Sequence, residues 1–208
     1  MVKTITVDPK LADAVERDLL SIRPNWNYYD HTLDPELSLF VTNKTIINEI
    51  DIKYGPVIDT HRFTESIFDA HKQKVLQKTF FNIRSDPKSR YNVYFPAMAK
   101  LVDHMQETYI PKNYKVNRLI FNMQTIRPEW SMQHPHPDCL NKDFITILYY
   151  VNNSDGDTFF FEGSECVHRS SPIKGTAVMS PSCMWHAGSS PTKTETRVVI
   201  NMCFSPKE

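Results

Sequence analysis

The chain has 208 residues, 40% of them hydrophobic and 23% charged, with 24 Lys and Arg balanced by 24 Asp and Glu. That length supports one sizeable core, and the neutral balance offers no broad basic field for nucleic-acid phosphates. No apolar run approaches the ~20 residues that cross a bilayer, and "MVKTITVDPKLADAVERDLL" carries neither an apolar stretch nor a small-residue cleavage site, so a cytoplasmic location is the expectation.

In chain order, "VDPKLADAVERDLLSI" predicts a helix, with Asp8 as N-cap, Pro9 in the first turn and an apolar stripe of Leu11, Val15, Leu19 and Ile22. Residues 23–60 mix Pro, Asn, Asp and aromatics with short apolar runs and suggest loops and one or two strands. "TESIFDAHKQKVLQKTF" predicts a second helix. "SRYNVYFPAMAKLVDHMQETYI" predicts a third, with Met98, Leu101, Val102, Met105 and Tyr109 on one face. The basic stretches "HKQKVLQK" and "RSDPKSRY" read as solvated surface.

After Tyr114 the texture changes. "KVNRLIFNMQTI", "KDFITILYYVN", "GDTFFFE", "GTAVMSP" and "TRVVINMCF" are short, rich in β-branched and aromatic residues, and separated by Pro, Gly, Asn and Asp. Helices first and strands after predict a single α+β, mainly β domain over 1–208. In it, 1–114 supply helical support and outer strands, and 115–208 a β core. The cysteines Cys139, Cys166, Cys183 and Cys203 form no CxxC pair and read as reduced thiols.

The chemistry concentrates in "MQHPHPDCLNKDFITILYYVNN", residues 132–153. On a strand, residues i and i+2 share a face, so His136 and Asp138 can point into one cavity. Pro137 has no N–H for a ladder, which places this piece at a strand end or edge. One imidazole and one carboxylate are two of the three ligands of a 2-His-1-carboxylate facial triad. The third must come from His31, His61, His71, His104, His168 or His186, and His168 in "ECVHRSSPIKG" reads as a loop residue. His134 is co-facial with His136, and three roles are open to it: an outer partner at the rim, a plain surface residue or a ligand. Arg197 opens the strand "TRVVINMCF", where a guanidinium suits a carboxylate bidentately.

"HPD", the distal "WHAG" and "TRVVINMCF" resemble the HxD…H…R/K signature of Fe(II)- and 2-oxoglutarate-dependent dioxygenases, in the prolyl 4-hydroxylase-like branch. "ITILYYVNN" resembles that branch's strand after HxD, "SDGDTFFF" its Gly-Gly/Asp-Thr segment, and "SSPIKGTAVMSP" the turn before its distal His. The resemblance covers roughly residues 115–205 and implies a double-stranded β-helix, a jelly roll of cupin-like form, buttressed by the N-terminal helices. It implies Fe(II), 2-oxoglutarate and O₂, with His136, Asp138 and His186 as metal ligands. Arg197 would hold the distal carboxylate of 2-oxoglutarate and Tyr150 would hydrogen-bond it. Gln124, sharing a face of "FNMQTIRPEW" with Asn122 and Ile126, is a candidate for a second contact. His134, Asn122 and Trp185 are candidates for the surroundings of the metal or the substrate pocket, and aromatic packing is the competing role for Trp185 and Trp130.

One departure from the family pattern is spacing: Arg197 lies eleven residues after His186, and "SSPTKTE" would absorb the excess, with Lys193 as rival cation. An intact Asp138 favours hydroxylation, because halogenating relatives replace this carboxylate. The implied reaction hydroxylates a C–H bond with release of succinate and CO₂, on a prolyl or other residue of a peptide or protein. A free amino acid or small metabolite is the alternative substrate, and a nucleic-acid base ranks behind both. Compact members of this kind occur in bacteria and phages, the latter acting in the host cytoplasm. The rival classes are a cupin-type metalloenzyme that does not use 2-oxoglutarate, with "HPH" as ligands, and a binding module on the same scaffold.

Overall fold

Asp8 Oδ1 accepts the backbone N–H groups of Lys10 at 3.0 Å and Leu11 at 3.2 Å. This cap starts α1 (Pro9–Ser21), whose Val15 and Leu19 are buried as the spacing predicts. The computed structural model describes residues 1–21, 27–29, 44–57, 62–69 and 96–207. Ile22, the last residue of the expected stripe, lies outside them, as do His31, His61, His71 and the two basic stretches.

The other elements are β1 (Lys3–Thr6), β2 (Asn27–Tyr29), α2 (Lys44–Tyr54), β3 (Arg62–Asp69), α3 (Pro96–Tyr109), β4 (Tyr114–Thr125) and β5 (Ile145–Tyr150). They continue with β6 (Thr158–Glu162), β7 (Glu165–Ser170), β8 (Thr176–Pro181), β9 (Trp185–Gly188) and β10 (Thr196–Pro206). Among the described residues the strands form two antiparallel sheets, β1-β8-β5-β10-β4-β3-β2 and β7-β6-β9.

Alternation along the central strands sorts their side chains onto two faces. Leu119 and Phe121 of β4, Ile147 and Tyr149 of β5, and Val198, Ile200 and Met202 of β10 face the helices. There they form one core with Val15 and Leu19 of α1 and Met98, Leu101, Val102 and Met105 of α3. Burying each such side chain contributes about 1.5–3 kcal/mol. The opposite face carries Leu148 and Tyr150 of β5, Val178 of β8 and Val199 of β10. They meet Phe160 of the smaller sheet, so this cluster lies between the sheets. The outer face of the smaller sheet presents Phe159, Phe161 and Ala187, covered by Ile50 of α2. Two sheets face to face with helices on the outside give the β core with helical support that the strand texture predicts, in the jelly-roll form that the family resemblance implies.

Three segments depart from the sequence reading. Residues 44–54 form a helix within a stretch where loops and one or two strands are expected. Ile47, Ile50 and Tyr54 repeat at helical spacing, and packing overrides the local preference. Residues 62–69 form β3 where a helix is expected to begin. Pairing with β4 satisfies their backbone groups, and the rest of that expected helix lies outside the described residues. Residues 165–170, read as a loop, form β7, paired with β6.

Candidate metal centre and anion pocket

"MQHPHPD" is an edge piece that joins the smaller sheet through isolated bridges, Met132 to Ser189 and His136 to His186. His136 and His186 donate backbone N–H groups to each other's carbonyls, both at 3.0 Å. That pairing sets their rings side by side, with centroids 5.0 Å apart. Asp138 enters from beyond Pro137, its N–H bonded to the Ser182 carbonyl at 2.9 Å. One possible ligand atom from each of His136, Asp138 and His186 lies within 4.8 Å of the others.

The polar atoms of these three residues are ordered by their neighbours. The Nδ1–H of His136 donates to the His134 carbonyl at 2.8 Å, and that of His186 to the Met184 carbonyl at 3.2 Å. A carbonyl only accepts, so both rings carry their proton on Nδ1 and present Nε2 as the lone-pair nitrogen. Asp138 Oδ1 accepts from Asn201 Nδ2 at 2.8 Å and pairs with Arg118 Nη2. Its Oδ2 is buried without a hydrogen-bond partner, 3.7 Å from His186 Nε2. Burial opposes the charge on Asp138, but Arg118, His186, His136 and Asn201 outweigh it and hold the carboxyl well below the usual range. Two imidazole nitrogens and an unpartnered carboxylate oxygen form the donor set that a divalent first-row metal accepts.

A second polar centre lies between the sheets. Arg197 is buried on β10, directly opposite Gln124 on β4. Its Nε donates to the Gly156 carbonyl at 2.7 Å, Nη1 to Gln124 Oε1 at 2.8 Å and Nη2 to Thr158 Oγ1 at 2.7 Å. A guanidinium has five N–H groups, so one on each Nη remains. Among the described residues no carboxylate lies within 4.0 Å of it, and Gln124 Nε2 beside it is buried without a partner. Burial draws the Arg197 pKa down from its ordinary value, and Tyr150 and Asp157 partly offset it. Gly188 makes room for this side chain: a Cβ there would stand 3.0 Å from Arg197 Nη1 and 3.1 Å from Cζ.

No protein-family model matches the chain, and neither does any curated protein. Among solved structures it is similar to an oxidoreductase of the 2OG-Fe(II) oxygenase family from Burkholderia pseudomallei. The match spans 97% of this chain and 84% of that one, at 13% identity and a TM-score of 0.56. The fold is that of the 2OG-Fe(II) oxygenases. A prolyl-4-hydroxylase from Pseudomonas putida matches 95% of this chain over 100% of its own, at 16% identity and a TM-score of 0.41. A viral collagen prolyl hydroxylase from Paramecium Bursaria Chlorella virus-1 matches 88% of this chain over 96% of its own, at 14% identity and a TM-score of 0.38.

Within this 2OG-oxygenase fold, the other residues singled out in the sequence take definite places. His134 stands outside the three-residue group and touches it through its carbonyl. Tyr150 is fully buried, and its hydroxyl donates to Thr158 Oγ1 at 2.8 Å. Thr158 Oγ1 accepts from both Tyr150 and Arg197, which leaves its own O–H to donate elsewhere. Asn122 is partly buried on β4, two residues from Gln124 on the same face, whereas Ile126 lies past the strand end and is 49% exposed. Trp185 alternates with His186 and so faces away from the centre, packing instead with the cluster of Phe159 and Phe161. Trp130 joins that cluster, edge-on to Phe159. Lys193 is exposed, and its N–H bonds to Asp155. His104 sits on α3 against Tyr109, and His168 of β7 lies tilted against Phe160 of β6.

Sequence reading missed Arg118, Asn201 and Thr158. The alternation that singled out Gln124 and Arg197 also carries Arg118 on β4 and Asn201 on β10, two strand repeats or more away on the same faces.

Proposed function

We propose that this protein is an Fe(II)- and 2-oxoglutarate-dependent dioxygenase that hydroxylates a C–H bond of a prolyl or other residue in a peptide or protein, releasing succinate and CO₂. The observation that carries the reading is Arg197. A buried charge is costly unless paired. Here a buried guanidinium keeps two N–H groups beyond its internal bonds, and the unpartnered Gln124 Nε2 lies beside it. A carboxylate from outside the chain would meet all three donors.

His136, Asp138 and His186 would hold Fe(II), and three ligands leave positions for a chelating cosubstrate and O₂. Bound Fe(II) supplies the redox chemistry that couples oxidative decarboxylation of 2-oxoglutarate to oxygen insertion in the substrate. The chain's own residues do the rest. Arg197 and Gln124 orient the distal carboxylate, and Thr158 donates its O–H toward the same place. Tyr150 fixes Thr158 from behind. Leu148, Phe160, Val178 and Val199 pack with Tyr150 between the sheets, an apolar surface that would help exclude water. The intact Asp138 supports hydroxylation over halogenation. The choice of a peptidyl substrate rests on the "HPD", "LYYVNN" and "DGDTFFF" resemblance to the prolyl 4-hydroxylase-like branch.

The test has two stages. Anaerobic Fe(II) with 2-oxoglutarate should give a weak visible metal-to-ligand charge-transfer band that neither component gives alone. A cupin-type enzyme or an inert module would give none, and that result would sink the reading. Prolyl peptides, other peptides and free amino acids are then screened for stimulated succinate formation and for a mass gain of one oxygen atom. Stimulation by free amino acids alone would move the substrate to the small-metabolite class.

A further inference from the structure

We propose that Arg118 and Asn201 are positioning residues that make Asp138 a one-oxygen ligand, committing Oδ1 to the protein and Oδ2 to the metal. The proposal rests on the reading of His136, Asp138 and His186 as a metal site. Asp138 has a side chain only 4% exposed, so its two oxygens cannot share their needs with bulk water. Oδ1 is held twice, by Arg118 Nη2 and by Asn201 Nδ2 at 2.8 Å. The clamp is also closed on itself. Arg118 Nη2 donates to Asn201 Oδ1 at 3.2 Å, and Nη1 donates to the Asp138 carbonyl at 3.3 Å. A guanidinium only donates and a carboxylate only accepts, so the Asn201 amide has a single orientation that serves both.

The backbone is shaped to deliver Arg118. Val116 lies in the core on the helix side, and two residues later Arg118 lies on the opposite face. The register between β4 and β10 shifts here, Phe204 pairing with Val116 and Cys203 with Arg118, which leaves Asn117 as the extra residue of a bulge. Bulges re-aim a side chain in this way, and they are frequent beside active sites.

Charge and position oppose each other at this residue, which makes the proposal decidable. As a bare cation, Arg118 would repel a divalent metal, and its removal would tighten binding. As a clamp, it prevents the carboxylate from rotating, and its removal would weaken binding. Outer partners of metal ligands typically contribute about 10–100-fold in affinity, so position should win.

Co(II), whose visible absorption reports coordination number and geometry, is titrated into the metal-free full chain. Wild type should bind, and His186→Ala should not. Arg118→Gln and Asn201→Ala should each bind about tenfold or more weakly than wild type, with an altered absorption band. Thermal unfolding of the metal-free variants checks that each is folded. If Arg118→Gln does not fold, Asn201→Ala, which leaves the charge untouched, carries the test. Wild-type affinity and band shape in the folded variants, or tighter binding by Arg118→Gln, would overturn the clamp while leaving the ligand set standing. Equal Co(II) binding by wild type and His186→Ala would overturn the ligand set, and the clamp with it.

Discussion

The backbones of His136 and His186 hydrogen-bond to each other in both directions, at 3.0 Å each way. A residue pair that exchanges both ladder bonds has a fixed separation and a shared facing, so the two rings meet without help from a loop. His134, two residues earlier, contributes a backbone carbonyl that any residue would supply. His186→Ala and Asp138→Ala should each reduce 2-oxoglutarate turnover to background. His134→Ala should keep Fe(II) binding, because the carbonyl remains. Isothermal titration with a divalent metal under anaerobic conditions separates the three variants.

Arg197 and Lys193 are the two cations that the sequence offers for a cosubstrate carboxylate, and their surroundings differ sharply. Arg197 is buried with spare donors, whereas Lys193 is exposed on the turn before β10. Arg197→Ala should weaken 2-oxoglutarate binding by roughly a hundredfold, in line with about 3 kcal/mol for hydrogen bonds to a charged group. Lys193→Ala should change it by less than about twofold, as surface charges do. Near-equal losses in a fluorescence or calorimetric titration would reverse the choice of clamp.

The site was legible to the extent that it is periodic. Alternation places Tyr149 and Tyr150 on opposite faces of β5, and the two residues do fall in different cores. Arg118 and Asn201 obey the same alternation, but a sequence does not say which same-face polar residues meet across strands. The bulge at Asn117 adds a second difficulty, since it puts Val116 and Arg118 on opposite faces although they are two residues apart. In the N-terminal half the local signal misleads. Residues 44–54 fall in a stretch read as loops and one or two strands, and the packing of Ile46, Ile50 and Tyr54 over Phe159 and Phe161 accounts for the helix they form.

Gly188 and Gly156 both lie against Arg197, and they should fail in different ways when enlarged. At Gly188 the nearest atoms to an added Cβ belong to the guanidinium, 3.0–3.2 Å away. Gly188→Ala should therefore shift Arg197 and raise the KM for 2-oxoglutarate severalfold, with metal affinity unchanged. At Gly156 an added Cβ would meet the Ser189 carbonyl oxygen at 2.5 Å, and backbone cannot swing aside. Gly156→Ala should lose about 1–3 kcal/mol of stability, as overpacking typically does, and thermal unfolding measures it.

Asp155 ties down the "SSPTKTE" turn that makes the spacing from His186 to Arg197 long. Its Oδ2 accepts from Thr192 N at 3.0 Å, Thr192 Oγ1 at 2.7 Å and Lys193 N at 3.0 Å. Its Oδ1 accepts from Thr194 N at 3.0 Å and Thr194 Oγ1 at 2.8 Å. Burial works against the charge, but the bonds from Thr192 and Thr194 outweigh it and hold the carboxyl well below its ordinary range. A native pKa below the unfolded value, near 4, means the ionised form stabilises the fold above that pH. The contribution then fades as pH falls through the native value. Asp155→Asn should lower neutral-pH stability by about 1–2 kcal/mol and flatten the acid limb of the stability curve. Because Gly156 follows directly and its carbonyl receives Arg197 Nε, the same variant should also raise the KM for 2-oxoglutarate. An acid limb identical to that of wild type in denaturant titrations at several pH values would show that Asp155 is not the group that holds the turn.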